Sequence, residues 1–389
     1  ETLQRLGNLR PAGLRGGVVY HDGQFDDARL AVNLAQTGIE LGGCLLNHFA
    51  VTGFLQDQHG HIAGVQATDQ ETGQTHELRG KAVVNATGVF VDEILQLAAP
   101  GSPPLLRPSQ GVHLVVDKSF LPGSDALMIP KTEDGRVLFA VPWHGRVLLG
   151  TTDTPVPASS EEPQALDEEI DFILRTAGRY LTRAPQRADV RSVFAGLRPL
   201  AAPAAGGGPT KELSRSHKIL VSATGLLTIT GGKWTTYRRM GEDAVAKLIE
   251  LGKLPAAASQ TVRLRIHGAH TATQYRAHPH YEEHHYVYGS DLPDLQQLLD
   301  TEPGAANRID PQLPFRWAEV LWAARYEMAR TVEDVLARRV RVLFLDAVAA
   351  IRMAPQVAAL LAQEFGHDAI WQAQQVADFG RVARHYRLQ

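Results

Sequence analysis

The sequence predicts an α/β protein with an inserted antiparallel sheet and a C-terminal all-α domain. Short strands, turn glycines and helical runs alternate up to about residue 107, which is typical of an α/β unit. Closely spaced apolar strands then indicate an antiparallel sheet, and amphipathic helical runs replace the strands after Pro255. We therefore predict four segments, of which the third returns to the first unit: 1–107, 108–198, 199–252 and 253–389.

The composition restricts the class of protein. The 389 residues contain 39 Lys and Arg against 42 Asp and Glu, and a net charge of −3 gives no electrostatic reason to expect a nucleic acid partner. The single cysteine, Cys44, excludes an intrachain disulfide and is expected to lie in the core. The most apolar run, 342–351, is interrupted by Asp346 and is shorter than the roughly 18 residues that a membrane-spanning helix needs.

The first unit opens without an initiator methionine or a signal peptide, so we expect the sequence to start partway through a larger protein. A short strand and turn are predicted at 16–25. Asp26 or Asp27 then caps a helix that runs to about Leu41, where two glycines end it. Residues 44–86 predict an antiparallel meander that ends in a buried strand at 82–86, followed by a helix at 90–97.

The Pro-rich segment 100–108 marks the crossing into the inserted sheet. Its strands are predicted at 111–117, 125–130, 136–143, 146–153 and 190–197, with a helix at 167–181. The segment 199–214 is expected to be a flexible loop. The remaining predicted elements are strands at 218–225 and 226–230, a long helix at 234–251, and helical runs at 316–330 and 332–345.

Two strand-to-helix turns contain glycines that let a bound group approach the backbone. One strand ends in Ala86, Thr87 and Gly88, and the carboxyl edge of a parallel sheet is where nucleotides bind. An ordinary strand-to-helix turn is the alternative.

The second turn has Gly231 and Gly232 before Lys233, with Thr235 and Thr236 in the first turn of a helix. Such a helix start stabilises negative charge on a phosphate or a reduced ring. A capped helix with a solvated lysine is the alternative.

Two strands of the inserted sheet contain residues suited to acid–base and anion chemistry. Arg198 lies within an apolar strand and needs an anionic partner, which is either a bound phosphate or carboxylate or a structural salt bridge. His113 follows Gly111 and is either a base for a hydroxyl proton or an ordinary strand histidine. The segment 150–155, GTTDTP, has two interpretations. Its hydroxyl groups line a cofactor pocket, or Asp153 simply organises a turn.

Two further clusters are weaker candidates. Six histidines fall within 267–285, and His280 and His284 have the i, i+4 spacing of a metal pair, but no clear third ligand accompanies them, so we predict no metal site. Four arginines near the predicted helix at 332–345 suit anionic lipid or another subunit, although a plain surface helix is the default expectation. These are Arg330, Arg338, Arg339 and Arg341.

Six segments occur in an order that resembles one known family. They are YHDGQFDDARL (20–30), VVNATG (83–88), GVHLVV (111–116), GTTDT (150–154), GLRPL (196–200) and GGKWTTYR (231–238). Together they closely resemble the FAD-dependent glycerol-3-phosphate dehydrogenases of aerobic respiration, and the segments 284–291 and 333–347 resemble that family's C-terminal domain. The resemblance implies a partial FAD-binding Rossmann-like domain, an inserted substrate-binding sheet and the helical tail.

The resemblance also implies roles for the candidate residues. Arg198 would bind the phosphate of sn-glycerol 3-phosphate, Lys233 would add positive charge near the phosphate or the flavin, and His113 would take the C2 hydroxyl proton. A hydride leaves C2 for the flavin and gives dihydroxyacetone phosphate, while the helix start stabilises the reduced ring. The implied FAD contacts are Ala86, Thr87, Gly88, Gly231, Gly232, Lys233, Thr235 and Thr236. Electrons would pass to a quinone, which implies a peripheral protein on the inner, cytoplasmic face of the cell membrane, with a homodimer allowed.

One departure and several alternatives accompany this resemblance. The family begins with a strand–GxGxxG–helix unit that holds the ADP part of FAD, and this sequence contains none, so FAD is implied for the intact enzyme and the chain alone is expected to be inactive. A glycerol-phosphate oxidase that reduces O₂ is the nearest enzymatic alternative. An amino-acid oxidase is more distant, because GGKWTTYR and the helical tail argue against it. A catalytically inert fragment that serves as a structural or interaction module is the alternative from another class.

Overall fold

The computed structural model describes residues 1–133, 135–201, 216–271, 273 and 284–388. The described helices are α1 Thr2–Arg5, α2 Asp27–Glu40, α3 Val91–Ala98, α4 Asp167–Tyr180, α5 Tyr237–Glu250, α6 Leu292–Thr301, α7 Trp317–Tyr326, α8 Val342–Leu345, α9 Ala347–Phe365 and α10 Ala369–Arg384. The described strands are β1 Phe49–Gln56, β2 Ile62–Asp69, β3 Thr75–Arg79, β4 Val84–Asn85, β5 Leu106–Asp117, β6 Leu127–Ile129, β7 Leu138–Trp143, β8 Arg146–Gly150, β9 Thr154–Pro155, β10 Val190–Ala201, β11 Lys218–Val221 and β12 Leu227–Thr230. No described helix combines the length and the apolar composition that crossing a bilayer requires.

The first part of the chain contains an antiparallel meander and one strand of a second small sheet. The meander has the order β1-β2-β3. In the second sheet, β4 pairs in parallel with β12, and β12 pairs antiparallel with β11. Strands from before and after the inserted sheet therefore lie side by side, which places their carboxyl ends at one edge.

The inserted sheet is antiparallel and has the order β10-β5-β8-β7-β6, with β9 pairing along β5. Val112, Leu114 and Val116 of β5 are fully buried in one apolar cluster with Ile173 of α4. Because side chains alternate between the faces of a strand, His113 and its alternate neighbours lie on the face opposite α4. Strands β5 and β10 run through residues 107 and 198, where the sequence predicted segment boundaries.

The C-terminal helices have an apolar core of their own and pack on the inserted sheet. Residues such as Leu336, Val357 and Leu361 are fully buried in that core. Phe344 of α8 contacts Phe194 of β10 edge to face, with ring centroids 4.9 Å apart. The predicted α/β fold with an inserted antiparallel sheet and a helical C-terminal domain is therefore confirmed.

The start of α2 is the point where three parts of the chain meet. Asp26 caps the helix by accepting a hydrogen bond from the Arg29 backbone N–H at 2.9 Å. Its side chain is only 5% exposed, and it lies 3.4 Å from His144 Nε2 of the inserted sheet and 3.4 Å from Arg341 Nε of the C-terminal domain. The adjacent Asp27 accepts from Arg341 Nη2 at 2.8 Å and, through its backbone oxygen, from Trp234 Nε1 at 3.3 Å.

A buried ion pair fastens α2 to the C-terminal helices one turn later. The Arg29 guanidinium binds the Glu327 carboxylate, and both side chains are almost fully buried. Trp322 Nε1 donates to Glu327 Oε1 at 2.9 Å, and the Arg29 guanidinium lies 4.8 Å from the centre of the Tyr288 ring. Burial disfavours the charged guanidinium, but the Glu327 carboxylate outweighs that penalty and raises the pKa of Arg29 above its ordinary value.

The prediction that four arginines lie on a plain surface helix is wrong for two of them. Arg339 and Arg341 are largely buried and pair with Glu327 and with the start of α2, respectively. Arg330 pairs instead with Glu71 and Arg338 with Glu333. The helical period alone did not distinguish these internal cations from solvated ones.

Two strand predictions near the start of the chain are also wrong. Residues 16–25 form no strand, since no described strand pairs with this segment. Val18 within it is 92% exposed. β1 begins only at Phe49, so the preceding residues 44–48 lie outside it and Cys44 is exposed instead of in the core. The predicted flexible loop overlaps β10 up to Ala201, and residues 202–214 lie outside the described part of the chain.

The junction at α2 predicts a pH-dependent loss of stability in Asp26→Asn. Burial raises the pKa of Asp26, but the His144 hydrogen bond and the Arg341 charge outweigh it and hold the pKa below its ordinary value of 3.8. Asparagine keeps the helix cap but removes the charge, so the free energy of unfolding near neutral pH should fall by about 2 kcal/mol. The charged form is favoured in the folded protein, so its contribution is present above pH 4 and disappears as the pH falls through the lowered pKa.

Urea unfolding followed by circular dichroism at neutral pH and in the acid range checks this prediction. Asp368 caps α10 in the same way, with an exposed side chain that accepts from the Trp371 N–H at 2.9 Å. Asp368→Asn should therefore change stability by less than about 0.5 kcal/mol at any of these pH values. Equal losses for the two variants would show that the ion pairs at Asp26 contribute nothing beyond the cap.

Candidate active site

The first group of candidate residues follows the carboxyl ends of two neighbouring parallel strands. Val84 and Asn85 of β4 pair with Leu227 and Thr228 of β12. Ala86–Gly88 and Gly231–Gly232 therefore leave the sheet at the same edge, as nucleotide-binding turns do. Asn85 is buried and fixes the first turn, because its Oδ1 accepts from Thr87 Oγ1 at 2.7 Å.

The glycines of these turns have different surroundings. Gly88, Gly231 and Gly232 all have positive φ angles, of 61°, 74° and 75°. A Cβ at Gly88 would meet nothing within 4 Å, so a bound group can approach the backbone there. A Cβ at Gly232 would lie 2.7 Å from Met240 Sδ of α5, so that glycine is also required for packing.

The segment before α5 forms a short 3₁₀ turn, so the α-helix begins at Tyr237, three residues later than predicted. Lys233, Thr235 and Thr236 are exposed. Thr236 Oγ1 accepts from the Lys233 N–H at 3.2 Å and donates to the Lys233 carbonyl at 2.9 Å. The Thr236 hydroxyl is therefore committed to the local turn, whereas Lys233 makes no side-chain ion pair with the described residues.

His113 lies at the centre of the sheet face opposite α4. In the strand register it pairs with Phe194 of β10 and with Gly150 of β8. Its ring stacks on Phe194, with centroids 5.3 Å apart and planes at 17°, and a Cβ at Gly150 would collide with the ring. The histidine is thus held flat against the sheet by an aromatic neighbour on one strand and a glycine on the other.

Arg198 lies on the same face, four residues after Phe194 towards the carboxyl end of β10. Its guanidinium is 3.3 Å from Asp153 Oδ1 and donates to the Thr152 carbonyl at 3.1 Å. It lies over Gly111, where a Cβ would collide with Nη2. A structural salt bridge, one of the two interpretations left open by the sequence, is therefore present, and 35% of the arginine side chain is exposed.

A buried carboxylate that the sequence analysis did not single out organises the GTTDT segment. Glu169 of α4 is 3% exposed, and its Oε1 accepts from the hydroxyls of Thr152 at 2.7 Å and Thr154 at 2.6 Å. Its Oε2 accepts from Gln110 Nε2 at 2.8 Å. Glu169 also caps α4 through the Leu166 N–H, and this ordinary role at a helix start concealed its second role.

The turns that follow β4 and β12 and the sheet face of His113 and Arg198 are neighbours across one turn of the chain. The turn Gly88–Phe90 contacts both β12 and β10, and Ser159 Oγ donates to the Val89 carbonyl at 2.7 Å. Among the described residues, no hydrogen bond or ion pair joins Arg198 to Lys233. Two cavities in the described part of the chain, of about 10 and 530 Å³, are lined by other residues.

The surroundings of His113 keep its imidazole neutral. Burial lowers the pKa of His113 to about 4, and the positive charge of Arg198 contributes to the same shift. At neutral pH the ring is therefore able to accept a proton. The protonated ring is unfavourable in this site, so the proton is readily released. This arrangement suits transient proton transfer from a hydroxyl group.

The class of protein follows from comparison with family models. A model of FAD dependent oxidoreductases matches residues 1–238, and one for the C-terminal domain of alpha-glycerophosphate oxidase matches residues 259–374. The chain therefore belongs to the FAD dependent oxidoreductase family. A strand edge with positive-φ glycines, of which Gly88 is open, beside a sheet face that holds a histidine and an arginine agrees with that class.

The particular relatives are glycerol-3-phosphate dehydrogenases. The enzyme of Bacillus halodurans, whose crystal structure contains FAD, superposes with a TM-score of 0.85 at 28% identity, over 99% of this chain and 78% of that one. The mitochondrial enzymes of Arabidopsis thaliana and Homo sapiens are 37% and 32% identical over 96% and 95% of this chain. The chain spans 63% and 53% of their lengths. The resemblance of the six ordered motifs to this family is confirmed, and so is FAD as the family's cofactor.

The low pKa of His113 predicts how its ring titrates. Two-dimensional NMR of ¹⁵N-histidine-labelled protein should show this imidazole still neutral at pH 5, although an unperturbed histidine titrates near 6.5. Arg198→Met keeps an apolar stem but removes the charge, so the pKa should rise and yet stay below 6.5, because burial remains. Since the folded protein disfavours the charged ring, stability should decline as the pH falls from 6.5 towards 4.

The matched control for this titration is Arg191→Met, which removes an exposed arginine from the same strand. It should leave the His113 pKa where it is in the unmodified protein. A His113 ring that titrates near 6.5 in the unmodified protein would contradict the burial inferred for it.

Proposed function

We propose that this chain forms most of an enzyme that oxidises sn-glycerol 3-phosphate to dihydroxyacetone phosphate and passes the electrons to a quinone. The observation that carries this proposal is the shared sheet face of His113 and Arg198, a proton acceptor beside a guanidinium. This sheet face lies one turn of the chain away from the edge where the glycines follow β4 and β12. The names of the relatives supply the substrate class.

FAD fits the glycine edge. The positive φ angle and open surroundings of Gly88, together with the exposed start of α5, leave room for a flat ring and for negative charge. The residues that would hold it are Ala86, Thr87, Gly88, Gly231, Gly232, Lys233, Thr235 and Thr236. When bound, FAD supplies the acceptor for the hydride that leaves C2 of the substrate.

Arg198 is the proposed anchor for the substrate phosphate. A guanidinium presents paired N–H donors that match the oxygen atoms of a phosphate. Asp153, the Thr152 carbonyl and Gly111 fix its orientation before substrate arrives, which lowers the ordering cost of binding. Lys233 adds positive charge at the start of α5.

His113 is the proposed base for the C2 hydroxyl proton. Its neutral ring can accept the proton as the hydride leaves, and the adjacent Arg198 favours release of that proton afterwards. Phe194 and Gly150 hold the imidazole in one plane, so the nitrogen that accepts the proton is positioned by the sheet.

The electron acceptor and location form the remaining part of the proposal. Quinones are dissolved in the lipid bilayer, so an enzyme that reduces them has to contact its surface. We propose a peripheral protein on the inner face of the cell membrane, and a homodimer as its assembly. Sedimentation with quinone-containing liposomes and light scattering measure these two properties separately.

The visible spectrum separates the enzyme from an inert fragment. Flavin absorption bands in the purified chain would support FAD binding by these 389 residues. A colourless chain beside a yellow version that spans the full length of the relatives would support an inactive fragment. Parallel assays of quinone reduction and peroxide formation in the yellow form distinguish the dehydrogenase from an oxidase.

The anchor role predicts a selective effect of Arg198→Ala in the FAD-loaded enzyme. KM for glycerol 3-phosphate should rise by roughly 10- to 100-fold, since a hydrogen bond to a charged group contributes roughly 1.5–3 kcal/mol. The FAD content should stay unchanged, because the flavin residues lie on other strands. Steady-state kinetics and the ratio of flavin to protein absorbance measure both quantities.

Two glycines provide a matched pair for the same prediction. Gly111→Ala should displace the guanidinium without removing it and raise KM in the same direction. Gly196, directly opposite in the register, has nothing within 4 Å of an added Cβ, so Gly196→Ala should leave KM unchanged. An unchanged KM in Arg198→Ala would remove this residue from the substrate site.

The base role predicts a different signature for His113→Gln. Glutamine keeps a polar side chain but accepts no proton, so kcat should fall by roughly 10²- to 10⁴-fold. The acidic limb of the pH–rate profile should flatten, because that limb reports protonation of the ring. Turnover and pH dependence identical to those of the unmodified enzyme would eliminate His113 as the base.

A further inference from the structure

Two adjacent histidines and a buried glutamate, none of them a candidate active-site residue, converge at the start of α7. His284 and His285 begin the 3₁₀ segment His284–Asp291, and Glu319 lies in the first turn of α7. We propose that these three side chains bind a divalent transition metal ion of the zinc class.

The distances between the three groups match a preformed coordination site. Glu319 Oε2 lies 3.3 Å from His284 Nε2 and 3.7 Å from His285 Nε2, and one ligand atom from each residue falls within 4.8 Å of the others. Ligands at roughly 2.0–2.2 Å from a tetrahedral zinc ion are roughly 3.4 Å apart. The ion therefore requires only small movements of the two rings. Two imidazoles and one carboxylate are also a donor set that zinc uses in proteins.

Hydrogen bonding between histidine and glutamate explains only part of this arrangement. The 3.3 Å separation from His284 is consistent with a hydrogen bond, but the 3.7 Å separation from His285 is too long for one. His285 Nε2 is buried and has no hydrogen-bond partner. Its nearest partner is the Glu319 carboxylate at 3.7 Å, so the buried nitrogen is poorly satisfied, and a metal ion would supply a closer partner.

Neighbouring groups hold the glutamate in the required orientation. Its side chain is 2% exposed. Tyr288 Oη donates to Glu319 Oε1 at 3.2 Å, and the Arg316 N–H donates to Oε2 at 2.8 Å. Phe315 packs edge-on against the His284 ring at 5.4 Å between centroids. Such outer contacts orient metal ligands and strengthen binding.

A small cavity adjoins the cluster and has room for the fourth ligand. Its volume is about 10 Å³, and two of the three proposed ligands, His284 and Glu319, line it. The other charged residues in its lining are Asp26, Arg29, Arg339 and Arg341. A space of roughly 10–15 Å³ holds one water molecule when polar groups surround it. A water molecule there would complete four-coordination, and Arg29 Nη2, which has no hydrogen-bond partner in this arrangement, could donate to it.

The site differs from the metal pair considered from the sequence. That pair needed His280, which lies outside the described residues, and lacked a third ligand. Here the third ligand comes from a helix 35 positions after His284, a distance that no short spacing rule covers. A bound ion would fasten the segment His284–Asp291 to α7.

Zinc binding by the EDTA-treated chain tests the proposal. Isothermal titration with Zn²⁺ should give one site per chain, and Co²⁺ should give the visible absorption of a four-coordinate ion. Zinc should also raise the melting temperature, because an ion that binds only the folded state stabilises it. His285→Ala should weaken binding by more than roughly 100-fold, since even outer-shell substitutions cost roughly 10- to 100-fold.

The controls distinguish this site from adventitious binding. His61→Ala removes an exposed histidine with a loose contact to Asp57 and should leave zinc affinity and stoichiometry unchanged. His284→Gln is a second ligand variant if His285→Ala unfolds, as judged by circular dichroism. No stoichiometric zinc binding by the unmodified chain, or equal affinity in a folded ligand variant, would overturn the proposal.

Discussion

The paired carboxylates of Asp26 and Asp27 are the contact on which the arrangement of the domains depends. They lie at a helix start, where the backbone already favours negative charge, and they bind His144 and Arg341, while the backbone carbonyl of Asp27 accepts from Trp234. These three partners come from three other regions of the chain. Arg341 adopts a left-handed backbone conformation, with φ of 63°. For a non-glycine residue this costs on the order of 1 kcal/mol, and the ion pairs to both aspartates offset that cost.

A chain of side-chain contacts also joins this junction to the candidate base. Arg341 immediately precedes α8, so fixing its side chain fixes Phe344 against Phe194. Phe194 in turn stacks on His113. Phe344 of the helical domain and the His113 ring therefore contact the same phenylalanine, and burial is the main cause of the low pKa of His113.

Local signals in the sequence predicted the elements well, whereas contacts between distant residues were not predictable. The cap at Asp26 and the antiparallel pairing of β1, β2 and β3 follow from short-range rules, and the structure confirms both. The predicted buried end of the meander at 82–86 is wrong, because β4 belongs to another sheet and Val84 is 39% exposed. Residues 16–25 had the apolar pattern of a strand, but a strand also needs a partner, which no pattern within the segment reveals. Arg341 looked like a surface cation because its partners are more than 300 residues away. Glu169 looked like a helix cap, which it is, and its contacts to Thr152 and Thr154 depend on the sheet that brings them together.

The candidate active site is built where the inserted sheet departs from ordinary strand composition. Strands favour β-branched and aromatic residues, and glycine within a strand costs roughly 0.5–1 kcal/mol relative to alanine. Gly111 and Gly150 nevertheless occupy adjacent strands, at the positions where Arg198 and His113 lie against the sheet. A side chain at either glycine would collide with the functional group above it. The loss of strand stability at these two positions is therefore directly linked to the positioning of the guanidinium and the imidazole. Gly196, the register partner of Gly111, has nothing within 4 Å of an added Cβ, so in this pair only Gly111 is required by the position of Arg198.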